Sequence, residues 1–289
     1  MTQGRHGHDA TLGAACVLAG ATSIQSSAAI ALPAFAVIGA AASSGFRFLL
    51  GATLLLLVAR PSLKGFDRAA WGGVLAFGVA VAAMNVCFFQ AVARLPLGTA
   101  VSIEFLGPFT LAVVAGSGRR HALYAAIGLL GVVLLARPGG GMTLLGAAFA
   151  LLAAAGWASY TLASKRLGAL TRGVDGLALA LGVAAVLTVP LAVGAFSSLT
   201  WALLLRLAVV AVLGVVVGFA LELAALRRLS AAQVAVLFSL NPAVAFAVGW
   251  LVLGQHVGVA ALCGGLCVVA ASIGVTGDAR RRALALPPT

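Results

Sequence analysis

Apolar residues in this chain come in continuous runs of about 20, with neither the period-two alternation of a half-buried strand nor the single stripe of a soluble helix. Arg/Lys clusters, Pro-Gly stretches and polar turns divide them into ten segments, at about 12–31, 38–59, 70–92, 98–116, 122–136, 143–164, 175–195, 202–225, 230–253 and 257–276. A run of that length crosses the hydrocarbon core of a bilayer as an α-helix. The pattern therefore predicts an all-α integral membrane protein with ten transmembrane helices. Such spans use about 200 residues, which leaves too few for a second folded domain. An outer-membrane barrel is excluded, because its spans are short alternating strands.

Composition agrees: of 289 residues, 63% are apolar and only 8% charged, and mean hydropathy is +1.16. The net charge of +12 would point to nucleic acid in a soluble protein; here it is read by position. Arg5, Arg60, Lys64, Arg68, Arg119, Arg120, Lys165, Arg166, Arg172, Arg227, Arg228, Arg280, Arg281 and Arg282 all fall on one side of the predicted membrane. Arg94, Arg137 and Arg206 fall on the other, and Arg47 lies inside segment two. By the positive-inside rule both termini are expected in the cytoplasm. The charge then suits the anionic headgroups of the lipid bilayer, and no nucleic-acid partner is expected. Segment one is longer than the apolar core of a signal peptide, so it is taken as a span. Cys16, Cys87, Cys263 and Cys267 lack C-x-x-C spacing and fall within helices, which suits small apolar packing groups.

Shifting the chain by 134 lays Arg94-Leu95 on Arg228-Leu229, Leu106 on Leu240 and Pro108 on Pro242 without a gap. This predicts a duplication: a cytoplasmic tail over 1–11, a first five-helix repeat over 12–137, a second over 143–276 and a cytoplasmic tail over 277–289. Because five is odd, the second copy must start on the opposite side of the membrane, so the repeats are inverted. Inverted repeats suit alternating access about a site near the midplane. Pro108 and Pro242 remove a backbone donor at matching places, as packing kinks or as gates of a pathway. Gly214 and Gly218 form a GxxxG that serves close packing or a homodimer face.

Charges at membrane depth are costly and face a bundle interior or cavity. Three qualify: Arg47, Glu104 and Glu222. Under the repeat shift they fall on Leu181, Phe238 and Phe88, so the scaffold is duplicated and the charges are not. One cation with one or two carboxylates is what a zwitterionic, amino acid-like substrate needs; equally, Arg47 and Glu104 could neutralise each other as a structural pair. Glu104 and Glu222 are also candidates for coupling transport to a proton. Gln25, Ser26, Ser27, Asn85, Trp157 and Tyr160 complete the candidate binding set, each with an alternative role in helix packing. No G-x-x-x-x-G-K-[ST] or H-E-x-x-H is present, so neither nucleotide hydrolysis nor metalloprotease chemistry is expected, and no cofactor or metal is implied.

The Ser-Ile-Gln-Ser-Ser stretch at 23–27, Arg47 in Gly-Phe-Arg-Phe, Met84-Asn85, Leu95-Pro96-Leu97-Gly98-Thr99-Ala100, Glu104-Phe105-Leu106-Gly107-Pro108, Gly156-Trp157-Ala158-Ser159-Tyr160 and Leu221-Glu222 resemble the EamA-type drug/metabolite transporters. The chain is most similar to their bacterial threonine and homoserine exporter branch. The resemblance implies a ten-helix inner-membrane exporter of amino acids or related metabolites. Exporters of drugs or nucleosides, and a membrane-embedded assembly or lipid-handling protein, are the alternatives. In segment nine the family usually carries a Glu before the Pro and another after Leu-Gly; here those places hold Asn241 and Gln255.

Overall fold

The computed structural model describes residues 2–64, 66–114, 119–135, 143–171, 174–226, 228–229, 231–256 and 258–285. Arg137, Arg172 and Arg227 lie outside the described residues, as do the side chains of Arg5, Lys165 and Arg280 to Arg282. Among the described residues all regular structure is helical, with no strand: α1 Thr2–Ala59, α2 Arg68–Val92, α3 Leu97–Glu104, α4 Leu106–Val114, α5 Arg119–Leu135, α6 Leu144–Leu170, α7 Asp175–Thr188, α8 Trp201–Ala211, α9 Gly218–Leu226, α10 Ala231–Phe238, α11 Asn241–Leu253 and α12 Val259–Ala285. A 3-10 stretch, Val189–Ser198, continues α7, and a π-helical stretch, Val212–Val217, joins α8 to α9. Starts are set by side-chain caps: Asp67 accepts from Ala70 N, Thr143 from Gly146 N and Thr200 from Leu203 N.

The first element is two antiparallel arms. Ser27 Oγ donates to Val210 O and Arg47 Nη2 to Gly214 O, acceptors about 6 Å apart along one helix, whereas a straight helix would separate positions 27 and 47 by about 30 Å. The chain reverses at Gly39, whose φ of 79° and ψ of 158° only glycine adopts readily. Pro33 sits within the first arm, so segment one runs on past residue 31.

Contacts then set the bundle. The first arm runs antiparallel to α8 and α9: Leu229 packs on Gly13, Leu221 on Gly20 and Ile24 on Gly218. In the same sense α6 runs against α2, with Leu95 on Gly146, Met84 on Gly156 and Phe77 against Tyr160. The second arm packs on α7, α3 on α11, and α5 on α12, the last pair through direct backbone approach at Gly131 and Gly264.

Among the described residues seven helices are long and apolar enough to cross a membrane. The difference from ten has three sources. Thr11–Ala59 counts once although it is two arms on either side of Gly39, and the described parts of two further helices, Arg119–Leu135 at 17 residues and Val259–Val275 of α12, are shorter than 18. Segments four and nine are each broken in two, at Phe105 and at Ser239-Leu240. Those breaks lie three residues before Pro108 and two to three before Pro242, and Phe105 and Ser239 are 134 apart. A proline there deprives the carbonyl four residues earlier of its partner and crowds the turn. At the far end α12 continues through Ala285, beyond the predicted end at 276.

Candidate solute-binding cavity

A cavity of about 110 Å³ lies inside the bundle, walled by both arms of α1 and by α2, α3, α6, the π-helical stretch, α9, α10 and α11. It has room for several waters or one small metabolite. Arg47, Asn85 and Glu104 line its inner part; Cys16, Val17 and Glu222 line the part nearer the end of the bundle that carries Gly13 and Leu229. At the opposite end the core is closed by Leu95, Leu97, Ala100, Val101, Ala150 and Val248.

Arg47 is only 4% exposed. Its Nη2 donates to Gly214 O at 3.1 Å, and its Cζ stands 5.2 Å from the centroid of the Phe89 ring, within cation–π range. Its Nε and Nη1 are buried and have no hydrogen-bond partner. Glu104, 5% exposed, shares the cavity but forms no hydrogen bond with Arg47. Two amides stand beside them. Asn85 Oδ1 accepts from Ser44 Oγ at 3.2 Å, which fixes the amide on the wall, and Gln25 is 4% exposed with its Oε1 unpartnered.

Toward the other part of the cavity, Tyr160 OH donates to Glu222 Oε1 over a long 3.4 Å, beyond the usual span of an O–H···O bond. Edge-on contacts hold the aromatic wall: Phe77 against Tyr160 with centroids 4.9 Å apart, and Phe105 against Trp157 at 5.6 Å.

The structure thus brings Gln25, Arg47, Asn85, Glu104, Trp157, Tyr160 and Glu222 to one cavity. Ser26 is half-buried on α1 and does not line it, and Ser27 is fully buried, spending its hydroxyl on Val210 O. Pro108 stands outside the wall, and Pro242 is buried behind it at the start of α11. The GxxxG pair points inward, Gly214 toward Ser27 and Arg47 and Gly218 toward Ile24, and so serves packing within the bundle.

Sequence reasoning missed the Gly214 carbonyl, Ser44, and the apolar walls from Phe48, Met84 and Phe88. A backbone acceptor leaves no side-chain signal, and apolar wall residues look like lipid-facing ones. Asn241 and Gln255 have structural partners: Asn241 Nδ2 donates to Phe238 O, the carbonyl that Pro242 orphans, and Gln255 Oε1 accepts from Leu97 N at the start of α3. Among the described residues no cluster of three His, Cys, Asp or Glu is placed to hold a metal ion.

Residues 144–277 match the model of the EamA-like transporter family. The threonine/homoserine exporter RhtA of Salmonella typhimurium (strain LT2) is 34% identical over 268 residues, covering 90% of either chain. The chain belongs to the EamA-like transporter family. The RhtA exporter of Escherichia coli (strain K12) is 32% identical over 272 residues, covering 92% of this chain and 91% of that one. An uncharacterized transporter of Clostridium kluyveri is 27% identical over 78% of this chain. One solved crystal structure superposes with a TM-score of 0.61 over 93% of this chain and 98% of its own, at 20% identity, a likeness of fold alone. Membership makes the protein a multi-pass membrane transporter and not an enzyme.

Proposed function

We propose that this EamA-like transporter exports small zwitterionic metabolites, amino acids such as threonine and homoserine, across the bacterial cytoplasmic membrane. The observation that carries this reading is the pairing, in one cavity, of an Arg47 with unpartnered donors and a Glu104 that does not bond it. A solute with a carboxylate and an ammonium group complements both. Its carboxylate takes one of the two unpartnered donors of Arg47, Nε or Nη1, which leave opposite edges of the guanidinium, and its ammonium group takes Glu104 and the free Gln25 Oε1. The names of the relatives at 32–34% identity support the same substrate class.

In this reading the chain is two inverted repeats, 12–137 and 143–276, whose ten helices exchange access to the site, with both termini cytoplasmic. Several features support it. Helix breaks recur 134 residues apart, and α1 on α8–α9 repeats as α6 on α2 with the halves exchanged. Gly13 and Gly146, at the starts of the two repeats, neighbour Leu229 and Leu95 at opposite ends of the bundle. The cavity extends toward the end of Leu229 and Arg228, the basic end, from which an exporter loads. Protons drive the cycle: Glu104 holds either the ammonium group or a proton, so each turnover exchanges one for the other.

Counterflow of L-threonine, L-homoserine and a purine nucleoside in proteoliposomes tests this. The amino acids should exchange and the nucleoside should not, and Glu104→Gln should abolish exchange. Full activity in Glu104→Gln, or nucleoside exchange alone, would overturn the substrate assignment. Net flux that ignores an imposed pH gradient would remove the proton from the scheme.

A further inference from the structure

The π-helical stretch Val212–Val217 and the turn before it aim three carbonyls at α1. Val210 O accepts from Ser27 Oγ at 2.7 Å, Leu213 O from Ser23 Oγ at 2.8 Å and Gly214 O from Arg47 Nη2 at 3.1 Å. π-turns are rare, and where they replace i→i+4 bonds by i→i+5 they turn carbonyls toward other donors.

We propose that Gly214 is a positioning residue for the carboxylate of the solute, acting through Arg47; this rests on Arg47 being the carboxylate anchor. Gly214 contributes a carbonyl and an absence. The carbonyl fixes one nitrogen of the guanidinium while the Phe89 ring faces its Cζ, so the fork is held in place before any solute arrives. Nε and Nη1 are left over as two separate donors, one on each edge of the guanidinium, whose directions are preset. The absence is the missing side chain. A Cβ at 214 would collide with Ser27 Oγ and stand 2.6 Å from Arg47 Nη2 and 2.8 Å from Arg47 Cζ. Ser27 is tied to Val210 O and fully buried, so it has nowhere to withdraw. The guanidinium must turn away instead, and with it the donor meant for the solute.

Packing alone would also demand glycine at a close helix crossing, and the two roles differ in what they discriminate. A packing defect weakens every ligand alike, whereas a displaced Arg47 penalises only ligands that carry a carboxylate. The probes are therefore L-threonine and L-threoninol, in which a hydroxymethyl group replaces the carboxylate. Their binding to the full-length protein in lipid nanodiscs is read from the fluorescence of Trp157, which lines the cavity, against a Trp157→Phe blank. Wild type should prefer threonine, and Gly214→Ala should cut that preference by about tenfold or more while leaving threoninol affinity within a factor of about two. Phe89→Leu, which removes the ring without filling the site, should also reduce the preference and serves if Gly214→Ala does not fold. An equal loss for both probes, or an unchanged preference in both variants, overturns the proposal. A wild type that binds threoninol as well as threonine overturns the underlying reading of Arg47, a different result because no variant is involved.

Discussion

Arg47 stands where a cation is costly: buried, at membrane depth, with one hydrogen bond and one aromatic face to offset the loss of water. Replacing a whole buried ion pair by apolar residues of similar volume is often neutral or stabilising, by about 1–4 kcal/mol, and Arg47 has no bonded carboxylate that its removal would strand. Arg47→Met is therefore expected to keep or raise the melting temperature in detergent while abolishing L-threonine counterflow. A large fall in melting temperature would mean that Arg47 holds the bundle together. Arg47 and Glu104 could be picked from the sequence because the bilayer makes intramembrane charge conspicuous. Their relationship could not, since the partner of Arg47 is a backbone oxygen that only the local helix geometry turns toward it. Asn85 was legible as a polar residue in an apolar run, but not the Ser44 hydroxyl that fixes its orientation.

The paired prolines show how far an element can be read in advance. Pro108 and Pro242 mark two interrupted helices, and the interruptions fall at Phe105 and Ser239, at equivalent places in the duplicated pattern. The two halves treat the break differently. In the second half Asn241 donates to the orphaned carbonyl of Phe238; the equivalent residue in the first half is Gly107, pressed against Ala154 O, where no side chain fits. Asn241→Ala should cost about 1–3 kcal/mol by leaving that carbonyl unpaired, measured as a shift of the denaturation midpoint. Asn241→Asp should recover little of it, because an ionised carboxylate cannot donate. The reversal between segments one and two is expected over 32–37, and the structure puts it a little later, at Gly39; neither that exact place nor the π-turn at 212–217 was legible. Both lie in continuous apolar sequence whose hydropathy is blind to backbone dihedrals, and Pro33, the one local breaker, is absorbed within a helix.

In the bundle as a whole, packed aliphatic side chains fill one end, and the cavity lining runs from Arg47 and Glu104 toward Cys16 and Glu222 at the end that carries Leu229. Cys16 is the one cysteine that lines the cavity. With Cys87, Cys263 and Cys267 replaced by alanine, a membrane-impermeant thiol reagent should modify Cys16 in inside-out vesicles, L-threonine should slow the reaction, and right-side-out vesicles should react poorly. Equal reaction from both faces would contradict a cavity open at the basic end. Single cysteines beside Arg94 and Arg228 should likewise label from opposite faces. The turn at Gly39 bears on how the protein is made. The element that contains it has 58 residues, and run straight it would extend about 87 Å, nearly three times the thickness of the hydrocarbon core. So long a helix cannot cross the lipid without a reversal, and the side on which the second arm ends is set at one glycine. Gly39→Val should show itself less as a weakened fold than as a protein threaded the wrong way, visible when reporter fusions placed after residue 59 change sides.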